Sequence, residues 1–326
     1  MTRYLIRRIL QMIPLLVLIS IFSFILMRLA PGDPARMFLD PEKVADPEKL
    51  ANIRHSLGLD QPLPVQYIRW LGRVLKGDLG YSFRSRQPVM DEILARLPNT
   101  AKLSIAAMLL SLLVAVPIGT ISAIKQYSIF DYLATIFAFL GISMPNFWIG
   151  LLLIYIFVGQ LGILPAVGTQ SVPPPTEPLA RFIDTIKHYI MPTIVLGMQS
   201  MASWARYQRS SLLEVIRQDY VRTARAKGLR ERTVLLRHAL RNALIPLITL
   251  AMLSLPGLLG GAFITESIFS WPGMGRLAVH SLYQRDYPVI QGITIFSALL
   301  VLVANLLADI LYGVVDPRVR YEKSAS

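Results

Sequence analysis

The chain has 326 residues, 54% of them hydrophobic, a mean hydropathy of +0.51 and a formal net charge of +13. That is too apolar for a soluble domain of this size and suits several membrane spans. Cysteine is absent, which excludes disulfides, thiolate metal sites and a cysteine nucleophile.

Arg3, Arg7 and Arg8 precede an apolar run from Ile9 to Met27. A signal-peptide core is shorter, roughly 7–15 residues, and a small-x-small cleavage site follows it promptly. No such site follows here, so the run is expected to be an uncleaved first span with its amino end inside. The string LAPGDPA, residues 29–35, then blocks helix continuation through Pro31 and Pro34. Residues 36–99 are polar, with ten Lys/Arg against eight acids. Leu50, Ile53 and Leu57 predict one helical face ended by Gly58, and Ile68, Leu71 and Leu75 a second ended by Gly77. Ile93, Leu94 and Leu97 predict a third. The expectation is a small helical subdomain outside the membrane.

The second span is predicted over Leu103–Ala123, with Lys125 and Asp131 flanking a short inside turn. The third covers Tyr132–Val158 and is interrupted by SMPN, residues 143–146. Pro145 frees backbone groups there and predicts a kink. It places Asn146 at membrane depth, as interhelical glue or as pore lining. Residues 159–187 read as an external loop, extended at VPPP, residues 172–175. The fourth span starts near His188 or Tyr189, with Pro192 in its first turn. It carries Gln199, Ser200 and Ser203, and Arg206 marks its inside edge. Its helix is expected to continue into the segment that follows.

That segment, DYVRTARAKGLRERTVLLRHALRNALIP, spans residues 219–246. Ten Lys/Arg lie between Arg206 and Arg241 against three acids, Glu214, Asp219 and Glu231. Each such charge costs about 2.5–3.5 kcal/mol at a bilayer centre. The segment therefore stands in water, and its positive excess places it in the cytoplasm. A helix from Asp219 to Lys227 would be about 13 Å long. Asp219 suits its N-terminus, Arg225 and Lys227 its C-terminus, and Gly228 can end it. Thr223, Ala224 and Ala226 are small enough for another protein to approach closely.

The fifth span covers Leu244–Ile264 and holds Pro256, Gly257, Gly260 and Gly261. Gly257 and Gly261 have GxxxG spacing, which suits close packing. Together with Pro256 they also predict a helix that bends or slides. Glu266 closes this span outside, and ESIFSWPGMGRL, residues 266–277, follows. In that string Trp271 and Phe269 suit a membrane interface, while Pro272, Gly273 and Gly275 permit tight turns. RDYPVIQG, residues 285–292, leads into a sixth span, Pro288–Ala308, with Asn305 inside it. VDPRVR, residues 315–320, closes the chain inside. With six spans the inside segments hold seventeen Lys/Arg and seven acids, the outside ones sixteen and thirteen. The long first outside loop weighs little in the positive-inside rule, and without it the outside keeps only Arg181, Lys187, Arg276 and Arg285. Orientation thus explains a basic excess that a nucleic-acid partner would otherwise require. The only aromatic side chains among the ten Lys/Arg of 206–241 are Tyr207 and Tyr220, and no nucleic-acid partner is expected.

No GxxxxGK[ST], HExxH or GxSxG string occurs, so neither a P-loop nor a hydrolytic centre is expected in this chain. The four histidines, His55, His188, His238 and His280, are scattered. No catalytic residue and no metal site is expected.

TARAKGL followed by RHALRNALIP resembles the cytoplasmic coupling (EAA) loop of ABC importer permeases. The similarity is greatest to the peptide/nickel branch, in which LAPGDP, KGDLGYS (residues 76–82), ESIFSWPGMGRL, RDYPVIQG and VDPR also recur in this order. Arg222, Thr223 and Ala224 stand where the general family has Glu-Ala-Ala. His238, Leu240 and Arg241 stand where it has Ile, Leu and Pro.

The resemblance implies an all-α type I importer permease in the cytoplasmic (inner) membrane. It has six transmembrane helices, both termini cytoplasmic, and a small external helical subdomain after the first helix. The implied divisions are 1–30, 31–96, a transmembrane core at 97–315 with its coupling loop at 207–243, and a tail at 316–326. The implied partners are a second homologous permease, two ATP-binding subunits and an external substrate-binding protein. ATP and Mg would be bound by the ATP-binding subunits and no cofactor by this chain.

Coupling to the ATPase would rest on Asp219, Arg222, Thr223, Ala224, Ala226, Lys227, Gly228 and Leu229. Binding-protein docking would involve Glu266, Trp271, Pro272, Gly273 and Gly275. Pro145, Pro256, Gly257 and Gly261 are hinge or packing positions. Asn146, Gln199, Ser203 and Asn305 are the candidates for the translocation path. The expected cargo is a di- or oligopeptide; a nickel chelate or glutathione is the alternative. A self-contained secondary transporter remains a different class, but it should carry ionisable groups at mid-membrane, and the span interiors here carry none away from their edges.

Overall fold

The computed structural model describes residues 2–29, 47–56, 58–259 and 262–315, and among them there are helices and no strand. LAPGDP beyond Leu29, Gly260, Gly261 and the tail from Asp316 lie outside the described residues. Twelve helices carry the argument. They are α1 (Thr2–Leu29), α2 (Pro47–Ser56), α3 (Leu63–Val74), α4 (Val89–Ile124), α5 (Ile129–Ser143), α6 (Asn146–Leu153), α7 (Pro178–Ile216), α8 (Asp219–Ala226), α9 (Arg241–Leu259), α10 (Phe263–Ile268), α11 (Met274–Gln284) and α12 (Tyr287–Val315). π-helical turns extend α6 over Ile154–Gln160 and precede α9 over Val234–Leu240.

Four described segments are long and apolar enough to cross a membrane: Ile6–Leu29, Val89–Ile124, Glu231–Ser254 and Tyr287–Ala308. The bent pair Ile129–Ser143 and Asn146–Gln160 makes a fifth if it is one span. The remaining expected span, the fourth, lies inside α7. His188, Gln199, Ser200 and Ser203 lower its hydropathy, while Met191, Val195, Met201, Ala202, Trp204 and Ala205 are buried. A helix that packs against protein along its length needs no continuous lipid-facing apolar surface.

Several boundaries differ from the expectation. The predicted third external helix and second span are one helix, α4, of 36 residues. Pro98 sits within it, and no break follows. α7 starts at Pro178, not His188, because Pro178 fits the first helical turn. Pro192 is therefore interior to α7, not at its start. The interruption at SMPN is far sharper than a proline kink: the two segments meet at 107°. Met144 and Pro145 are both extended, with ψ 131 and 136. α3 buries Gln66 and sets Tyr67 and Trp70 against Phe24 of α1. Ile68 and Leu75, two of its predicted core residues, are exposed.

By internal contacts the chain forms two units, Met1–Pro98 with Leu277–Leu302, and Asn99–Arg276 with Val303–Ser326. In the first, buried Asp286 organises the 82–85 turn. It accepts from Ser82 Oγ at 2.5 Å and from the Phe83 N–H at 3.0 Å. In the second, α7 is the central helix. α4 approaches it where Gly119 faces Ala205 O and Gln208 Cβ, and again where Ser111 Oγ donates to Gly197 O at 3.0 Å. α5 meets α7 at Gly141, against Ala202 and Met198. These small residues let helix backbones come close, as helices in lipid require.

Candidate functional site

α8 spans the expected residues. Gln218 is extended before it, and Gly228 ends it with φ +74, a value that favours glycine. The Gly228 N–H donates to Arg225 O at 2.9 Å. Thr223 Oγ1 donates to Asp219 O at 2.9 Å, tying down the first turn.

The helix is two-faced. Val221 and Ala224 are buried against Ala123 of α4, Leu212 of α7, Val234 and Ala239 of the π-helical turn, and Ala243 of α9. Asp219, Arg222, Thr223, Arg225, Ala226 and Lys227 are exposed, as are Gly228 and Leu229 beyond it. Arg225 is braced by Glu231, with Nη2–Oε1 at 2.7 Å and Nε–Oε2 at 3.1 Å. Asn242 Nδ2 donates to the Tyr220 hydroxyl at 3.1 Å. Ala224 is thus a correction to the sequence expectation: its side chain faces the chain's own body, so no partner can reach it.

The stretches of α4 and α7 that supply this seat also carry a charge cluster, in which the sequence reading took Asp131 as a turn flank and Arg209 as one of ten basic residues. Asp131, 3% exposed, accepts from Arg209 Nε at 2.7 Å and Nη2 at 2.8 Å. It also accepts from Ser122 Oγ and from the Tyr127 N–H. The pairing is long-range in sequence, so spacing offered no signal for it.

The segment 266–277 is pinned to α4 at Asn99 and Thr100. Glu266 and Trp271 have no exposed surface. Thr100 Oγ1 donates to Glu266 Oε1 at 2.7 Å, and the Arg276 N–H donates to Glu266 Oε2 at 3.0 Å. Trp271 Nε1 donates to Asn99 O at 3.1 Å, and its ring meets Tyr189 edge-on at 4.5 Å. Asn99 Nδ2 donates to Pro272 O at 3.0 Å. A Cβ on Gly273 would collide with the Glu266 carboxyl, and one on Gly275 would meet the Phe263 backbone. The docking expectation is corrected to this extent: the side chains of Glu266 and Trp271 shape the segment and offer a partner no surface. Burial pushes the Glu266 carboxyl above its ordinary value, against smaller downward pulls from its hydrogen bonds to Arg276, Thr100 and Gly275.

The path candidates lie on three helices, α6, α7 and α12. Asn146 is half-buried in the first turn of α6. Gln199 is exposed and Ser203 half-buried, four residues apart on one face of α7, and Asn305 is exposed on α12. Pro145 stands at the 107° break, and α9 continues through Pro256 and Gly257 to Leu259. Among the described residues nothing lies within 4 Å of where a Cβ on Gly257 would stand. Gly261 lies outside the described residues.

Residues 115–321 match the family described as binding-protein-dependent transport system inner membrane component, and residues 1–104 match its N-terminal family. The chain belongs to this family of ABC transporter permeases. It is 47% identical over 323 residues to the oligopeptide transport system permease protein AppB of Bacillus subtilis (strain 168), covering 98% of this chain and 100% of that one. It is 41% identical over 340 residues to the dipeptide transport system permease protein DppB of Escherichia coli (strain K12), covering 99% and 100%. It is 42% identical over 322 residues to the glutathione transport system permease protein GsiC of Salmonella paratyphi A, again covering 99% and 100%. Among solved structures, an inward-facing form of the MetNI methionine ABC transporter aligns with a TM-score of 0.54 at 16% identity, over 70% of this chain and 97% of that one. An amino acid ABC transporter aligns at 0.52 and 16% identity, over 68% and 93%. These two carry the fold. The chain is therefore an integral membrane permease subunit that works with ATPase and binding-protein partners, and the self-contained transporter is set aside.

Proposed function

We propose that this permease moves di- and oligopeptides across the cytoplasmic membrane, driven by ATP hydrolysed in two partner subunits that bind the ATP and Mg. The supporting observation is α8, an eight-residue helix seated on Val221 and Ala224 that turns its charged face to solvent. Full-length similarity to permeases named for oligopeptides and dipeptides supports the cargo. Glutathione is the second reading, favoured by the relative named for it at 42% identity.

The basic excess of 206–241 supports a cytoplasmic α8, with both termini on the same side. This chain then supplies half of a path shared with a second homologous permease, lined by Asn146, Gln199, Ser203 and Asn305. Closure of the ATPase pair displaces α8, and α7 and α9 tilt with it, the bend falling near Pro256–Gly257. An external binding protein delivers the cargo to the outer segments.

The test uses the complete complex in proteoliposomes. Arg222→Glu and Ala226→Trp, both on the solvent face, should lower substrate moved per ATP about tenfold while the complex stays membrane-inserted. Normal transport by both variants would refute the assignment of α8. Mass spectrometry of the ligand that copurifies with the binding protein separates peptide from glutathione.

A further inference from the structure

The cluster around Asp131 draws on the same stretches of α4 and α7 that supply the seat of α8. Ser122, which donates to the Asp131 carboxylate, is adjacent in sequence to Ala123, whose side chain is part of the seat. Arg209, which forks onto the same carboxylate, is three residues before Leu212, another seat residue, on the same face of α7. The Tyr127 N–H closes the α4–α5 turn onto Asp131, and Ser128 Oγ accepts from the Asp131 N–H at 3.3 Å. One carboxylate thus joins the end of α4, the turn, the start of α5 and α7. A buried carboxylate with a bidentate arginine has one well-defined geometry, and losing either partner leaves an uncompensated charge. Apolar packing alone would let small seat residues such as Ala123, Ala224 and Ala243 slide past one another. A forked ion pair would not.

We propose that Asp131 and Arg209 are a positioning pair for energy coupling: they lock the α4–α5 turn to α7, so that a push on α8 moves α4, α5 and α7 as one body. The proposal rests on α8 being the coupling helix. It adds that transmission depends on a clamp with no contact to nucleotide, cargo or the solvent face of α8.

The test uses the complete complex. Asp131→Asn and Arg209→Gln should each retain ATP hydrolysis while substrate moved per ATP falls about fivefold. Arg209→Lys, which keeps the charge and loses the fork, should fall between them and the parent. The double variant should be no worse than the worse single one, because the two act as a unit. The absence of cysteine allows paired spin labels at Ile129→Cys and Tyr220→Cys. Their separation should be the same in nucleotide-free and ATP-trapped parent complexes and should differ between those states in Asp131→Asn. Should Asp131→Asn fail to assemble, Ser122→Ala removes one bond and no charge, and it should still lower substrate moved per ATP.

A parent complex whose label separation already changes with nucleotide would overturn the proposal. So would unchanged substrate moved per ATP in the assembled variants, or a proportional fall of hydrolysis and transport, which marks a folding brace only. Loss of coupling in Ala226→Trp without loss in Asp131→Asn would sink the clamp and leave the role of α8 standing. Absence of effect in both would remove that role first.

Discussion

Glu266 is a carboxyl group without exposed surface, and the turn of 271–276 is wrapped around it. Because burial raises its pKa in the folded chain, folding favours its protonated form. Its contribution to stability is complete below the unfolded pKa of about 4.3 and is lost as pH rises through the raised folded value. Glu266→Gln cannot ionise. The variant's thermal midpoint in detergent, measured against the parent, should therefore improve steadily from acid to neutral pH. A difference that stays flat across that range would show that folding leaves its pKa unchanged. The amide can still accept from the Arg276 N–H and donate to Thr100 Oγ1, so the turn keeps its frame. Glu266→Ala removes both partners and opens a void, at about 3 kcal/mol. Ala224 teaches the same lesson from the other side of the chain. A residue picked out for being small is small because its own fold packs there, so a bulky side chain at Ala224 would test the seat. Solvent-facing positions such as Arg222 and Ala226 test the partner.

At the scale of elements, the sequence showed best what local chemistry decides. α8 starts after Gln218 and stops at Gly228 because a helix of that charge pattern needs an acid first and a positive φ last. The break at Pro145 follows from a lost N–H, although the size of its angle depends on what the two halves pack against. What pairing between distant residues decides was hidden. The apolar pattern of α3 fits two faces, and contact with Phe24 of α1, not periodicity, selected the one carrying Tyr67 and Trp70. Pro178 could open α7 only because the polar stretch after it remains helical outside the predicted span. Glycine was legible as a type and not as a place. GxxxG spacing drew attention to Gly257, which meets nothing among the described residues, while Gly119 carries the approach of α4 to α7. This contrast is measurable in the isolated chain in detergent. Gly119→Ala drives a methyl into Ala205 O and should cost about 2 kcal/mol of unfolding free energy. Gly257→Ala should stay within about 0.5 kcal/mol. Equal losses at both sites would contradict the packing of α4 on α7.

The unit Asn99–Arg276 is built around one helix that is longer than a membrane is thick. α7 has 39 residues, about 58 Å at 1.5 Å per residue, against a hydrocarbon core of about 30 Å. A helix of that length crossing the bilayer leaves polar turns in water on both sides. The composition of its ends fits this: Arg181, Asp184 and Lys187 lie near the start, and Arg206, Arg209, Glu214 and Arg217 near the finish. Between them no Asp, Glu, Lys or Arg occurs. Leu179, in the first turn, and Thr223, just past the last one on α8, are both exposed, and they should lie on opposite faces. The cysteine-free chain makes this a two-variant experiment. Thr223→Cys should react with a membrane-impermeant maleimide in inside-out vesicles and resist it in intact cells. Leu179→Cys should show the reverse. Labelling of both from one face would mean that α7 does not cross, and α8 would then have no fixed relation to the ATPase side. Reversed labelling of the pair would keep the crossing and invert the chain, placing the ten Lys/Arg of 206–241 outside. That arrangement opposes the positive-inside rule and would remove α8 from any cytoplasmic motor.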